Sequence, residues 1–209
     1  LARTPDKVLP NGKKIPQISC FVVETAWPGV ERVRRSTFMG LRGIANGSVT
    51  FKNVRVPAEN IIGKPGEGLK IALATLNVGR LGLPAAAIGV GMAFVDDARW
   101  WVTTRQQWGQ PVGKHQAIAR MVSSYAAHLF AMKSMVYLTC ALADRKNVDI
   151  RLEAAAAKYF CSETLYRILD DYLQVRGGRG YERATSLYER GERPTSVEMA
   201  IRDMRVGRI

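Results

Sequence analysis

Gly68-Leu69-Lys70-Ile71-Ala72-Leu73-Ala74-Thr75-Leu76-Asn77-Val78-Gly79-Arg80 is the stretch at which the chain changes character. From here Leu69, Leu73, Leu76, Arg80, Leu83 and Ala87 recur at spacings of three and four, the period of one helix face. The spacing predicts a helix to about Gln107, kinked or locally broken at Pro84. Gly79, Gly82, Gly89 and Gly91 weaken it by about 1 kcal/mol each relative to Ala. They are explained equally by close approach of a backbone or ligand and by a poor helix propped up by packing. Upstream, Ile18–Val23 and Ser48–Val54 read as strands, being rich in β-branched and aromatic residues. Pro10-Asn11-Gly12, Trp27-Pro28-Gly29 and Asn46-Gly47 are turn chemistry, Pro57 closes the second strand, and Gly63–Gly68 is a loop. Downstream, Gln110–Lys114 is a turn and a second helix runs from about His115 to Asp144. A third runs from about Ile150 to Val175, with Asp149 as its N-cap. The class is α+β: a β-piece over residues 1–67, then an antiparallel helical bundle over 68–209.

The 209 residues are 47% hydrophobic and 23% charged, which excludes a disordered or fibrous chain. The net charge of +13 is spread along the whole chain and favours anionic partners without choosing among nucleic acid, membrane and phosphate-bearing small molecules. Cys20, Cys140 and Cys161 are odd in number and far apart, and with His115 and His128 they show no metal-ligand spacing. Neither a disulfide framework nor a metal site is expected, and a reducing compartment fits better. Leu1–Pro5 shows no initiator Met and no apolar leader, so the chain is expected to begin inside a longer protein. Ala117–Ala143 is apolar but carries Arg120, His128 and Lys133, which favours a buried bundle helix over a membrane span.

Two segments carry chemistry. Arg105-Gln106-Gln107-Trp108-Gly109 followed by His115-Gln116 combines a cation, a flat aromatic ring and amides at a tight turn. Such a set suits an anionic aromatic cofactor and suits a solvated helix end equally well. Gly177-Gly178-Arg179-Gly180-Tyr181 follows a helix, so it lacks the strand-to-helix context of a dinucleotide-binding Rossmann loop. Alone it reads as a helix C-cap and turn.

Taken in order, these blocks resemble the acyl-CoA dehydrogenase family. The resemblance rests on Met39-Gly40-Leu41-Arg42-Gly43, Val49–Pro57, Glu59–Gly63, Gly66–Lys70, Leu76–Arg80, Arg105–Gly109, Gln174–Tyr181 and Ile201–Ile209. It covers nearly all of residues 17–209, and the Leu-Asn-x-Gly-Arg form is most similar to the very-long-chain branch. The resemblance implies the second half of a β-barrel-like middle domain followed by most of a C-terminal helical bundle. It implies an FAD-dependent enzyme that converts acyl-CoA thioesters to trans-2-enoyl-CoA. The electron acceptor would be an electron-transferring flavoprotein, the assembly a homodimer or homotetramer, and the location the bacterial cytoplasm or the mitochondrial matrix.

By the same resemblance, Arg105, Gln107, Trp108, His115 and Gln116 hold the pyrophosphate and adenine side of FAD. Gln174, Gly177 and Gly178 meet its adenosine part, and Asn77 and Arg80 line the acyl-CoA site. The family's catalytic Glu is expected about two residues beyond Ile209, while the alternative position on the first long helix is Gly79, which takes no proton. Glu67 and Glu163 read as ordinary surface carboxylates. Trp108 stands where most relatives have Phe, and about ten extra residues separate Gly180 from Arg202, including Glu189–Pro194. An acyl-CoA oxidase, or a flavoprotein of this scaffold that binds nucleic acid, are the alternatives. Against the second, the bases are dispersed and aromatics do not alternate with Arg, so nucleic acid is not an expected partner.

Overall fold

The computed structural model describes residues 1–145 and 147–209 and divides into two compact units. The first comprises residues 1–38 and 42–78, the second residues 39–41 and 79–209.

In the first unit, β1 (Ala2–Val8), β2 (Lys14–Phe21) and β5 (Ile61–Ile62) form an antiparallel sheet in the order β1-β2-β5. The β1–β2 register slips between Thr4 and Lys7, around Pro5, which has no N–H to give to the ladder. β3 (Val30–Arg35) and β4 (Gly47–Phe51) form a separate antiparallel pair. β1 and β3 were not expected, because proline and charge mask the strand pattern in β1 and charge alone masks it in β3. β4 stops at Phe51, short of the expected Val54 and well before Pro57, and Asn53 turns the chain at φ +50°.

The Gly63–Gly68 loop docks on β2. Ser19, fully buried, shares a hydrogen bond with Thr4 Oγ1 (2.9 Å) and accepts one from the Gly66 N–H (2.9 Å). A Cβ at Gly68 would stand 2.6 Å from the Ser19 carbonyl carbon, so no larger residue fits there.

In the second unit the helices dominate. α1 (Gly68–Thr104) enters from the first unit and runs without a break through Pro84, contrary to the expected interruption. Pro84 is fully buried, and one missing N–H bond is offset by the packing of Ala87 and Ile88 one turn on. Beyond Gly68, its glycines meet no backbone of another element: Gly79, Gly82 and Gly89 have open space, and Gly91 faces Leu129 and Leu165 side chains.

α2 (Gln116–Ala143) and α3 (Arg151–Arg176) complete the core, with the short helices α4 (Gly178–Tyr181), α5 (Ala184–Glu189) and α6 (Val197–Met204) following. Asp149 lies one residue before the true cap, Ile150, which has no side-chain cap bond. The Asp149 carboxylate still accepts the Arg151 N–H (3.1 Å) and grips its guanidinium.

α1 and α2 are each long and apolar enough to cross a membrane by length and composition. One face of α2 is taken up by the core, where Tyr125, Leu129, Met132 and Val136 are buried. Leu165, Ile168, Leu169 and Tyr172 of α3 share that cluster with Ala98 of α1. Cys161 is buried there too, and burial pushes its thiol up to about 11. The Met39–Leu41 block belongs to this unit: the Leu41 N–H donates to Asp203 Oδ1 (2.7 Å), and Gly40 packs so closely on the Arg202 backbone that a side chain is excluded.

Leu169 is fully enclosed, so Leu169→Ala is expected to cost about 2–5 kcal/mol. Urea unfolding followed by circular dichroism measures it, and a loss below about 1 kcal/mol would show a core loose enough to collapse around the deletion.

Candidate functional site

α1 ends in a turn built to display an aromatic ring. The Arg105 N–H still bonds the Trp101 carbonyl (2.9 Å), and the Val112 N–H returns to the Arg105 carbonyl (2.8 Å). Between them β6 (Gln106–Gln107) pairs with β7 (Gln110–Pro111). Trp108 and Gly109 at the tip both have left-handed backbones, φ +49° and +78°, as a two-residue I′-type hairpin turn requires. A bulky residue with positive φ is strained, and this one leaves its indole 87% exposed. His115 braces the turn: Nδ1 lies 3.2 Å from Gln110 Nε2, Nε2 lies 3.3 Å from the Gln107 carbonyl, and the ring meets Trp108 edge-on at 5.3 Å. Gln116, exposed, opens α2 beside it.

The second segment is the end of α3. The Gly177 N–H bonds the Gln174 carbonyl (3.0 Å), and Gly177 leaves the helix at φ +60° and ψ −142°, a conformation that glycine alone adopts readily. Gly180 serves another purpose, since a Cβ there would meet the Leu173 carbonyl oxygen at 2.5 Å. Gly178 is exposed with nothing of the chain within 4 Å of where a Cβ would stand, which leaves its backbone open to an approaching group.

Trp101 joins the two segments. Its Nε1 donates to the Val175 carbonyl (3.1 Å), the Arg176 guanidinium lies over its ring at 4.1 Å, and that of Arg105 lies 5.8 Å from the same centroid. Residues 105–116 and 174–178, separated by nearly sixty positions, therefore meet around one buried indole. Arg176 is itself buried and is balanced by Asp97 (3.8 Å). Asp97 also accepts a hydrogen bond from the Tyr172 hydroxyl (2.7 Å). Burial and then that bond raise the Tyr172 phenol above the ordinary tyrosine range. Trp101, Asp97, Tyr172 and Arg176 were not among the expected site residues. The one sequence signal for Trp101 is its place one helical turn before Arg105.

The expected substrate residues lie elsewhere. Asn77 and Arg80 stand three positions apart on α1. From Arg80 to Thr104 the helix rises about 36 Å at 1.5 Å per residue, so Arg80 and the Arg105 turn occupy opposite regions of this chain. Of the two surface carboxylates, Glu67 accepts the Lys64 N–H (3.0 Å), and Glu163 is paired with Arg208 (2.8 Å), whose hydrogen bond holds it below the usual carboxylate range.

The extra residues after Gly180 fold over the α1 end. Arg179 donates to both oxygens of Glu192 (2.6 and 2.8 Å), while Arg190 bridges Glu192 (2.8 Å) and Glu182 (3.0 Å). A cavity of about 290 Å³ lies between this segment and α1, lined by Trp100, Trp101, Thr104, Arg105, Glu192 and Arg193.

Residues 66–209 match the family model described as acyl-CoA dehydrogenase, C-terminal domain. The chain is 52% identical over 192 residues to a probable acyl-CoA dehydrogenase, FadE10, of Mycobacterium bovis, covering 92% of this chain and 30% of that protein. It is 33% identical over 208 residues to the mitochondrial very long-chain specific acyl-CoA dehydrogenase of Mus musculus, again 30% of the relative's length. A solved acyl-CoA dehydrogenase from Bacillus anthracis, complexed with FAD, superposes with a TM-score of 0.80 at 26% identity, over 95% of this chain and 35% of that one. The chain thus spans about a third of the length of these relatives.

The arginine bridges predict an acid sensitivity. Hydrogen bonds from Arg179 hold Glu192 below its ordinary value of 4.5. The Ser186 hydroxyl and then Arg190 do the same for Glu182. A lowered carboxylate contributes stability that is complete above its unfolded value and is lost as pH falls through its folded one. Glu192→Gln is expected to lower the melting temperature at pH 7 and to flatten its decline below about pH 4.5, a comparison that parallel calorimetric scans of the two proteins make. Parallel curves would remove the bridge from the account.

Proposed function

Because the chain belongs to the acyl-CoA dehydrogenase family, we propose that it is part of an FAD-dependent enzyme that oxidises acyl-CoA thioesters to trans-2-enoyl-CoA in fatty-acid β-oxidation. The observation that carries this reading is the junction at Trp101, where a guanidinium, an exposed indole and an open glycine backbone converge from two distant segments. That set fits a dinucleotide. Arg105 forms a charge-assisted bond to pyrophosphate, and Trp108 offers a stacking face. Gln107, His115 and Gln116 supply polar groups at the start of α2, where unpaired helical N–H groups favour an anion. Gln174 and the backbones of Gly177 and Gly178 receive the adenosine portion. FAD, when bound, accepts the β-hydride of the thioester.

In this reading residues 1–67 are the second half of a barrel-like middle domain and residues 68–209 most of the C-terminal bundle. Asn77 binds the CoA portion, and Arg80 steadies the loop that carries the proton-abstracting Glu, which the full protein would supply after Ile209. By the family resemblance the assembly is a homodimer or homotetramer in which one FAD is served by groups from two copies, a reading with which the long separation of Arg80 from Arg105 along α1 agrees. Electrons pass on to an electron-transferring flavoprotein, in the cytoplasm or the mitochondrial matrix. The open space at Gly79 and Gly82 suits a long acyl chain.

Arg105→Ala in the full-length protein is expected to weaken FAD retention by about 1.5–3 kcal/mol, the worth of one hydrogen bond to a charged group. Flavin absorbance after dialysis reads it, and undiminished flavin content would remove Arg105 from the site. Conversion of palmitoyl-CoA to its enoyl product with an artificial electron acceptor tests the reaction itself.

A further inference from the structure

Asp97 gathers three parts of the second unit on one carboxylate. From α3 it accepts the Tyr172 hydroxyl (2.7 Å) and faces Arg176 (3.8 Å). From the segment after Glu182 it accepts the Thr195 hydroxyl (2.9 Å) and faces Arg193 (3.6 Å). Asp97 itself belongs to α1, two turns before the Arg105 hairpin. The segment it holds is also anchored by Leu187, fully buried, by the Arg193 guanidinium over Trp100 at 4.4 Å, and by the Arg179–Glu192 pair.

The consequence reaches the cofactor turn through Arg176. That guanidinium is buried, its Nε has no hydrogen-bond partner among the described residues, and Asp97 is the one acidic group that pairs with it within 4 Å among them. Without the carboxylate an unbalanced buried cation remains, which is strongly unfavourable. The guanidinium relieves this by leaving the Trp101 face for water. Trp101 is the group that bonds the Val175 carbonyl, one residue from Gln174 and two from Gly177.

We propose that Asp97 is a positioning residue for the dinucleotide site. Its carboxylate clamps the 182–195 segment onto the end of α3 and keeps Arg176, Trp101 and the Gln174–Gly178 turn in the arrangement that receives the cofactor. The extra segment is then a working part of the site, supplying Glu192 and Arg193 to the wall of the cavity that Arg105 also lines. This inference rests on the FAD assignment proposed above.

The test uses the full-length protein, with Asp97→Asn, Thr195→Val and Arg105→Ala compared by FAD titration of the flavin-free forms at a temperature where each is folded. Asp97→Asn is expected to weaken FAD by about tenfold or more, to shift the bound flavin's absorption envelope, and to speed tryptic cleavage after Arg190. Thr195→Val, which removes one hydrogen bond to the carboxylate from the segment side only and leaves the charge in place, is expected to weaken FAD by about threefold, and it decides the matter if Asp97→Asn does not fold. If the carboxylate merely stabilised the bundle, its removal would lower the melting temperature and leave affinity and absorption envelope unchanged. FAD affinity within about twofold of the parent in Asp97→Asn and Thr195→Val, where Arg105→Ala binds weakly, overturns the positioning role and leaves the cofactor site standing. Unchanged affinity in all three variants overturns both.

Discussion

The indole of Trp101 is the contact on which the organisation of the second unit turns. It is a buried ring that gives its only polar hydrogen to a carbonyl at the end of another helix, while two guanidiniums share its faces. A hydrogen bond from a buried indole is hard to exchange for anything else, because the alternative is an unsatisfied donor and an unsatisfied carbonyl in the same place. The end of α3 is thereby held at a defined place on α1. The hairpin after α1 and the glycine turn after α3 become neighbours as a result.

Charge follows from that arrangement. Stacking Arg176 on the ring buries a cation, and the interior tolerates it because Asp97 stands opposite with its own hydrogen bonds supplied by Tyr172 and Thr195. The remaining bases are treated differently. Arg179 and Arg190 are tied to Glu182 and Glu192 near the surface, where solvent screening makes each bridge worth little alone. The excess positive charge is thus divided between a few structural pairs and groups such as Arg105, which stays exposed at the hairpin.

The glycines divide along similar lines. Gly68, Gly40 and Gly180 stand where a neighbouring backbone leaves no room for a Cβ, and each is a packing requirement of this chain. Gly177 is required by its dihedral angles. Gly178, Gly79 and Gly82 meet neither condition, and open space at such positions agrees with groups outside the chain approaching there. A sequence shows each of these only as glycine, so it could not separate them.

The three long helices were legible in the sequence because apolar residues three and four apart mark a buried face wherever that face lies, and their ends fell within a few residues of Gly68–Thr104, Gln116–Ala143 and Arg151–Arg176. The family was legible from ordered motifs such as Leu76–Arg80 and Gln174–Tyr181. β1 and β3 were not, since strands rich in charge or proline acquire their identity from the partner strand rather than from their own pattern. Nor was the passage of α1 through Pro84, where burial among neighbours outweighs one lost hydrogen bond. Which residues join the hairpin after α1 to the glycine turn after α3 was decided by the tertiary structure alone. Trp101 and Asp97 lie in no motif and Arg176 lies in one far from both, and a hydrogen bond or stacked cation between positions more than seventy residues apart exists only once the chain is folded.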